Sequence, residues 1–132
     1  MILKRVSDAS LEFSNAATHA QEAFAGVSLE GAAAAKASAI EHEFSGIEQS
    51  LLAPQGLSTR TWYKHTVFAP GTYTGYSAEI LPGISEAIDR GDLAALQREA
   101  DALVVALHRA SLRLNGAAQV ARASSSTAIE GH

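Results

Sequence analysis

The sequence predicts an all-α, four-helix-bundle-like domain of three longer helices and one short one, with a long ordered loop between the second and third helices. Three observations carry that expectation. Of the 132 residues, 47% are hydrophobic but only 6% aromatic, and alanine supplies much of the apolar share, which suits closely packed helices better than a sheet-rich interior. Apolar residues recur at spacings of three and four in three separate stretches, the period of one helix face. Between the second and third stretches the period vanishes, and that segment holds all three prolines and all three tyrosines of the chain.

The first stretch runs from about Ser10 to Val27 and lines up Phe13, Ala17, Ala20, Phe24 and Val27. Gly26 suits its end. The second places Leu29, Ala33, Ala37, Ile40, Phe44, Ile47 and Leu51 on one face, with Glu30, Lys36, Glu41 and Glu48 off it, as an amphipathic helix requires. Pro54 and Gly56 stop it. Ala53 to Pro82 is too long for a plain connection, and its aromatic content predicts an ordered loop packed on the helices. A short helix from Pro82 to Asp89 follows, because proline suits a first turn and Arg90-Gly91 suits an end. The last stripe is Leu93, Leu96, Ala100, Leu103, Leu107, Ala110 and Leu114, with Asp92 placed to accept free amide hydrogens at the helix start. Residues 1–122 are expected to form the helical domain. Residues 123–132, polar and without pattern, read as a linker or tag remnant outside the fold.

Composition also narrows function. A net charge of -4 and a pI near 5.7 give no electrostatic reason to expect nucleic acid or an anionic membrane surface as partner. The absence of cysteine removes disulfides, thiolate metal sites and cysteine nucleophiles. No apolar run approaches the ~20 residues that span a bilayer, and Met1-Ile2-Leu3-Lys4-Arg5 leads into polar residues instead of a signal-peptide core.

No catalytic constellation emerges. His19, His42, His65, His108 and His132 lack metal-ligand spacing, and each reads as a surface or cap residue. In Glu41-His42-Glu43, consecutive helix positions point in different directions and cannot converge on one ion. Neither a serine nucleophile elbow nor a phosphate-cradling glycine pattern occurs. The segment from Thr59 to Ile84 stands out for its aromatic, cationic and turn residues. Trp62, Tyr63 and Phe68 read as anchors pinning it to the bundle, together with Pro70 and Pro82. Tyr73 and Tyr76 sit among glycine, serine and threonine, where a tyrosine can offer its hydroxyl to a ligand.

The order of residues in this segment is more specific than any of its parts: Leu57, then Arg60-Thr61-Trp62-Tyr63-Lys64-His65, then Val67-Phe68-Ala69-Pro70, then Tyr76, Glu79 and Leu81-Pro82-Gly83-Ile84. It resembles the transferrin-receptor-like dimerisation domain, the C-terminal domain of glutamate carboxypeptidase II and its relatives, over a span from about Leu11 to Ala121. The resemblance implies a helical domain that is not an enzyme by itself. Its partners would be a second copy in a homodimer and the protease domain of a parent zinc carboxypeptidase. Zinc would belong to that protease domain, with no cofactor in this chain, and peptide substrate would be met only in the parent. The family also implies an extracytoplasmic or membrane-anchored parent. In the carboxypeptidase members a Lys-Tyr pair on the loop helps hold the substrate's C-terminal glutamate. Tyr76 falls on that tyrosine and Gly75 where the lysine would be, which points away from glutamate selectivity. One branch, the transferrin receptor, is non-catalytic. The competing reading is a free-standing helical protein-interaction module with no peptidase parent, its loop recognising a protein partner.

Overall fold

The computed structural model describes residues 1–27, 33–70 and 77–126. Four helices and one small sheet follow in the order α1 (Ile2–Ala25), α2 (Ala33–Ser50), β1 (Phe68–Pro70), β2 (Ala78–Ile80), α3 (Pro82–Asp89) and α4 (Leu93–Ser126). The chain is mostly helical, and α1, α2 and α3 all pack on α4.

Helix α1 begins at Ile2, eight residues before the expected start at Ser10. Its apolar line continues backwards through buried Ala9 to half-buried Val6 and Ile2. The centre of the face is alanine: Ala9, Ala16, Ala20 and Ala23 are buried, while Phe13, Phe24 and Val27 pack around the rim. Against them α4 sets Leu114, Ala118 and Ala121, so the two backbones can approach closely. Arg5 pairs with Asp101 at 2.5 Å and Glu12 with His108 at 3.0 Å. Both partners advance by seven residues, so α1 and α4 run parallel. Helix α2 runs the other way: Glu43 meets Arg113 at 3.3 Å and Leu52, just beyond the helix, accepts Arg109 at 3.2 Å.

Helix α4 is the spine. Asp92 Oδ1 accepts the Ala95 amide at 2.8 Å, capping the first turn. Because three helices cover it, its buried face is broader than a single stripe, adding Ala95, Ala106, Ser111 and Ala117 to Ala100, Leu103, Ala110 and Leu114. Leu93, the expected first member, is exposed. The helix continues through Ser126. Burial of Ala117, Ala118 and Ala121 carries its packing as far as Ala121.

The segment after α2 is ordered by strand pairing that the expected loop did not include. Residues 51–53 and 64–66 pair antiparallel through an isolated bridge at Leu52 and His65, with Ala53 N–H donating to Lys64 O at 2.8 Å and Thr66 N–H to Leu51 O at 3.0 Å. Strands β1 and β2 then form a two-stranded antiparallel sheet with Phe68 opposite Ile80 and Ala69 opposite Glu79. The all-α expectation is corrected to this extent. Each strand has only three residues, too few to display a period, and the alternation is inverted: Ala69 and Glu79 face inward while Phe68 and Ile80 face out.

The Asp101 carboxyl is held below the usual aspartate range, chiefly by hydrogen bonding from Gln97, which outweighs the opposing effect of desolvation, with a further contribution from Arg5. A carboxyl lowered by folding adds stability above its unfolded value of ~3.9, and that contribution disappears as pH falls through the lowered folded value. We therefore expect the stability difference between the wild type and Asp101→Asn to be constant near neutral pH and to shrink below about pH 4. Urea unfolding at stepped pH measures it, and a difference that grows on acidification would reverse the sign.

Candidate functional site

The hairpin and the turn before it are fastened to the helices by polar contacts on small residues, not by large aromatic anchors. Leu57, Ala53, Thr66 and Ala69 are buried under the segment. Two acids of the helices reach up to it. Glu99 of α4 is 6% exposed, and its Oε1 accepts both the Ser58 amide, at 2.7 Å, and the Ser58 hydroxyl. Glu86 of α3, also buried, accepts the Thr59 hydroxyl and forms an ion pair with Arg60. Burying a carboxylate is tolerable only with such donors.

Gly83 completes the Glu99 contact. A Cβ there would lie 2.2 Å from Glu99 Oε2, so glycine lets the start of α3 close over that carboxylate where any larger residue would push the Glu99 side chain aside. The preceding Leu81 holds a left-handed conformation at φ 51° and is the N-cap of α3 without a side-chain cap. Its amide donates to Val67 O at 2.8 Å and its carbonyl accepts from Ile84 and Ser85, both at 3.0 Å. These bonds tie the sheet to the helix and hold a conformation that costs a non-glycine residue ~1–2 kcal/mol.

The expected anchors divide. Pro82 is fully buried at the start of α3. Tyr63 is half-buried, donates its hydroxyl to Phe68 O at 3.0 Å and carries Arg60 over its ring at 5.5 Å. Trp62, by contrast, is 75% exposed and touches the Tyr63 ring edge-on with centroids 5.8 Å apart. Phe68 is 53% exposed, and Pro70 is exposed with its carbonyl accepting Arg60 at 2.9 Å. Trp62, Phe68 and Pro70 thus keep much of their surface in solvent, with the Phe68 ring beside that of His65 at 6.0 Å between centroids. The inward position next to Phe68 is taken by Ala69. With Ile80, 64% exposed and directly opposite Phe68, the outer side of the sheet is an exposed apolar pair among the described residues. Tyr73, Gly75 and Tyr76 lie outside the described residues.

Sequence reasoning named Arg60 only as part of the motif, and did not single out Glu86, Glu99 or Ser58. One signal was present for Glu99: it falls four residues after Ala95 and four before Leu103, a charge on the apolar face of α4. Beside this clamp, a groove of about 710 Å³ separates the turn at Gln55, Ser58 and Thr61 from Arg98, Val105 and Arg109 on α4. Its one buried acid, Glu99, is already engaged by Ser58. Among the described residues no group of three His, Asp or Glu side chains could hold a metal ion, and no helix is long and apolar enough to cross a membrane.

The described residues thus form a helical scaffold that carries a hairpin clamped by Glu86 and Glu99. The family model for the transferrin receptor-like dimerisation domain matches residues 1–115. The chain belongs to that family. It is 43% identical over 42 residues to a probable glutamate carboxypeptidase of Arabidopsis thaliana, covering 32% of this chain and 6% of that protein. Over 63 residues it is 36% identical to an inactive zinc metalloprotease of Schizosaccharomyces pombe, covering 48% of this chain and 8% of the relative. A probable glutamate carboxypeptidase of Arthroderma benhamiae is 36% identical over 55 residues, covering 39% and 8%. The matched stretches thus take up less than a tenth of each relative's length.

Proposed function

We propose that this chain acts as the non-catalytic, four-helix-bundle-like dimerisation domain of a glutamate carboxypeptidase II-like zinc metallopeptidase, and that its central segment helps close the substrate pocket of the protease domain. The observation that carries this reading is the inverted hairpin: Phe68 and Ile80 point outward from strands whose inner side is fixed to α3 by charge pairs. An exposed apolar pair on a hairpin fastened through the Arg60–Glu86 ion pair calls for a covering surface. The relatives extend far beyond the matched stretch, and a protease domain in that remaining length is the occupant we assign. Zinc and the catalytic carboxylate belong to that domain, and the peptide substrate meets this chain only in the parent.

Within the proposal, Tyr76 donates a hydrogen bond to the substrate's C-terminal end. Tyr76→Phe in the full-length parent is expected to raise KM for a peptide substrate by about five- to tenfold, with kcat changed by less than about twofold, as for loss of one neutral hydrogen bond. An unchanged KM removes Tyr76 from the pocket. This chain alone, supplied with zinc and peptide, is expected to give no turnover, and hydrolysis by it would refute the assignment.

A further inference from the structure

Arg60 stands where every element around the hairpin meets. Its Nη1 donates to Pro70 O on β1 at 2.9 Å, and its Nη2 lies 3.9 Å from Glu79 on β2 while pairing more closely with Glu86 on α3. Tyr63, whose ring lies under the guanidinium, is bonded in turn to Phe68 O on β1. The Arg60 and Glu86 side chains are only 13% and 10% exposed. A planar fork is required to serve a carbonyl and two carboxylates at once, and a lysine ammonium has no such geometry.

We infer that Arg60 is a positioning residue: it fixes both strands to α3, so that Phe68, Ile80 and Trp62 are presented to the parent's protease domain as one surface. The inference rests on the docking reading proposed above and adds the group that sets the angle of that surface. It also separates Arg60 from Arg113, whose pair with Glu43 lies on the α2 side of α4.

Two measurements test it. Backbone amide exchange on this chain reads the clamp: Arg60→Lys and Arg60→Met are each expected to speed exchange of the Leu81 amide, which is bonded to Val67 O, by about tenfold or more. The amides of Ala106 and Ala110 should stay within about twofold of wild type, as should Leu81 in Arg113→Met. Unchanged Leu81 exchange in both Arg60 variants overturns the inference. Kinetics of the full-length parent read the docking: Arg60→Lys is expected to raise KM with little change in kcat, in parallel with Trp62→Ser. If Trp62→Ser raises KM and Arg60→Lys does not, positioning by Arg60 is overturned while the docking surface stands. If neither changes KM, the docking reading itself fails.

Discussion

Replacing Gly56 with alanine is expected to destabilise the chain by about 3 kcal/mol, from left-handed strain plus a forced backbone shift. Gly56 has φ +72°, and a Cβ would lie 2.1 Å from Thr61 O. That oxygen belongs to the backbone of a turn closed by Leu57 N–H to Tyr63 O at 2.9 Å and Tyr63 N–H to Arg60 O at 2.8 Å, so it cannot simply rotate away. Relief requires opening the turn that delivers Ser58, Thr59 and Arg60 to their carboxylates. Gly91 supplies the internal comparison: φ is +64°, yet nothing lies within 4 Å of its Cβ position. Gly91→Ala should therefore cost only the conformational part, about 1 kcal/mol. Urea unfolding followed by circular dichroism measures both, and equal losses would show that the Thr61 contact carries no weight.

The second large effect is expected for Glu86→Ala, at about 3 kcal/mol, because removing one partner of a largely desolvated pair leaves the other charge uncompensated. Arg60 would lose its main counter-ion and Thr59 its acceptor. Glu79, at 3.9 Å from Arg60 and more exposed, offsets only part of the loss. The exposed pair Lys4–Asp8, at 2.7 Å on one face of α1, is the contrast: Asp8→Ala should cost less than ~0.5 kcal/mol. If the two substitutions cost the same in urea unfolding, Glu86 does not hold the hairpin.

The helices were legible because periodicity reports burial wherever one helix face meets one neighbour. Pro82 to Asp89 was delimited to the residue, since proline and Arg90-Gly91 are local stop and start signals that tertiary contacts do not alter. The start of α1 was missed because Ile2, Val6 and Ala9 are separated by charged residues whose partners, such as Asp101, come from a distant part of the chain. The hairpin was hidden for a related reason. Its inward residues are Ala69 and Glu79 and its outward ones Phe68 and Ile80, so hydropathy points the wrong way until the Arg60–Glu86 pair is known.

The order of residues from Leu57 to Ile84 did reveal the family, which the match over residues 1–115 shows. A motif preserves the contacts that shape a segment even when it does not reveal them: Leu57 is buried, Arg60 is the hub, Pro82 is enclosed and Gly83 makes room for Glu99. The two acids that answer this motif, Glu86 and Glu99, lie beyond it on α3 and α4, and only the fold brings them together.

Membership of a dimerisation family makes self-association of the complete protein the central claim. Sedimentation velocity of the full-length parent over a hundredfold concentration range addresses it directly. A particle of two copies, persisting at the lowest concentration, is predicted. A single-copy particle throughout would contradict it.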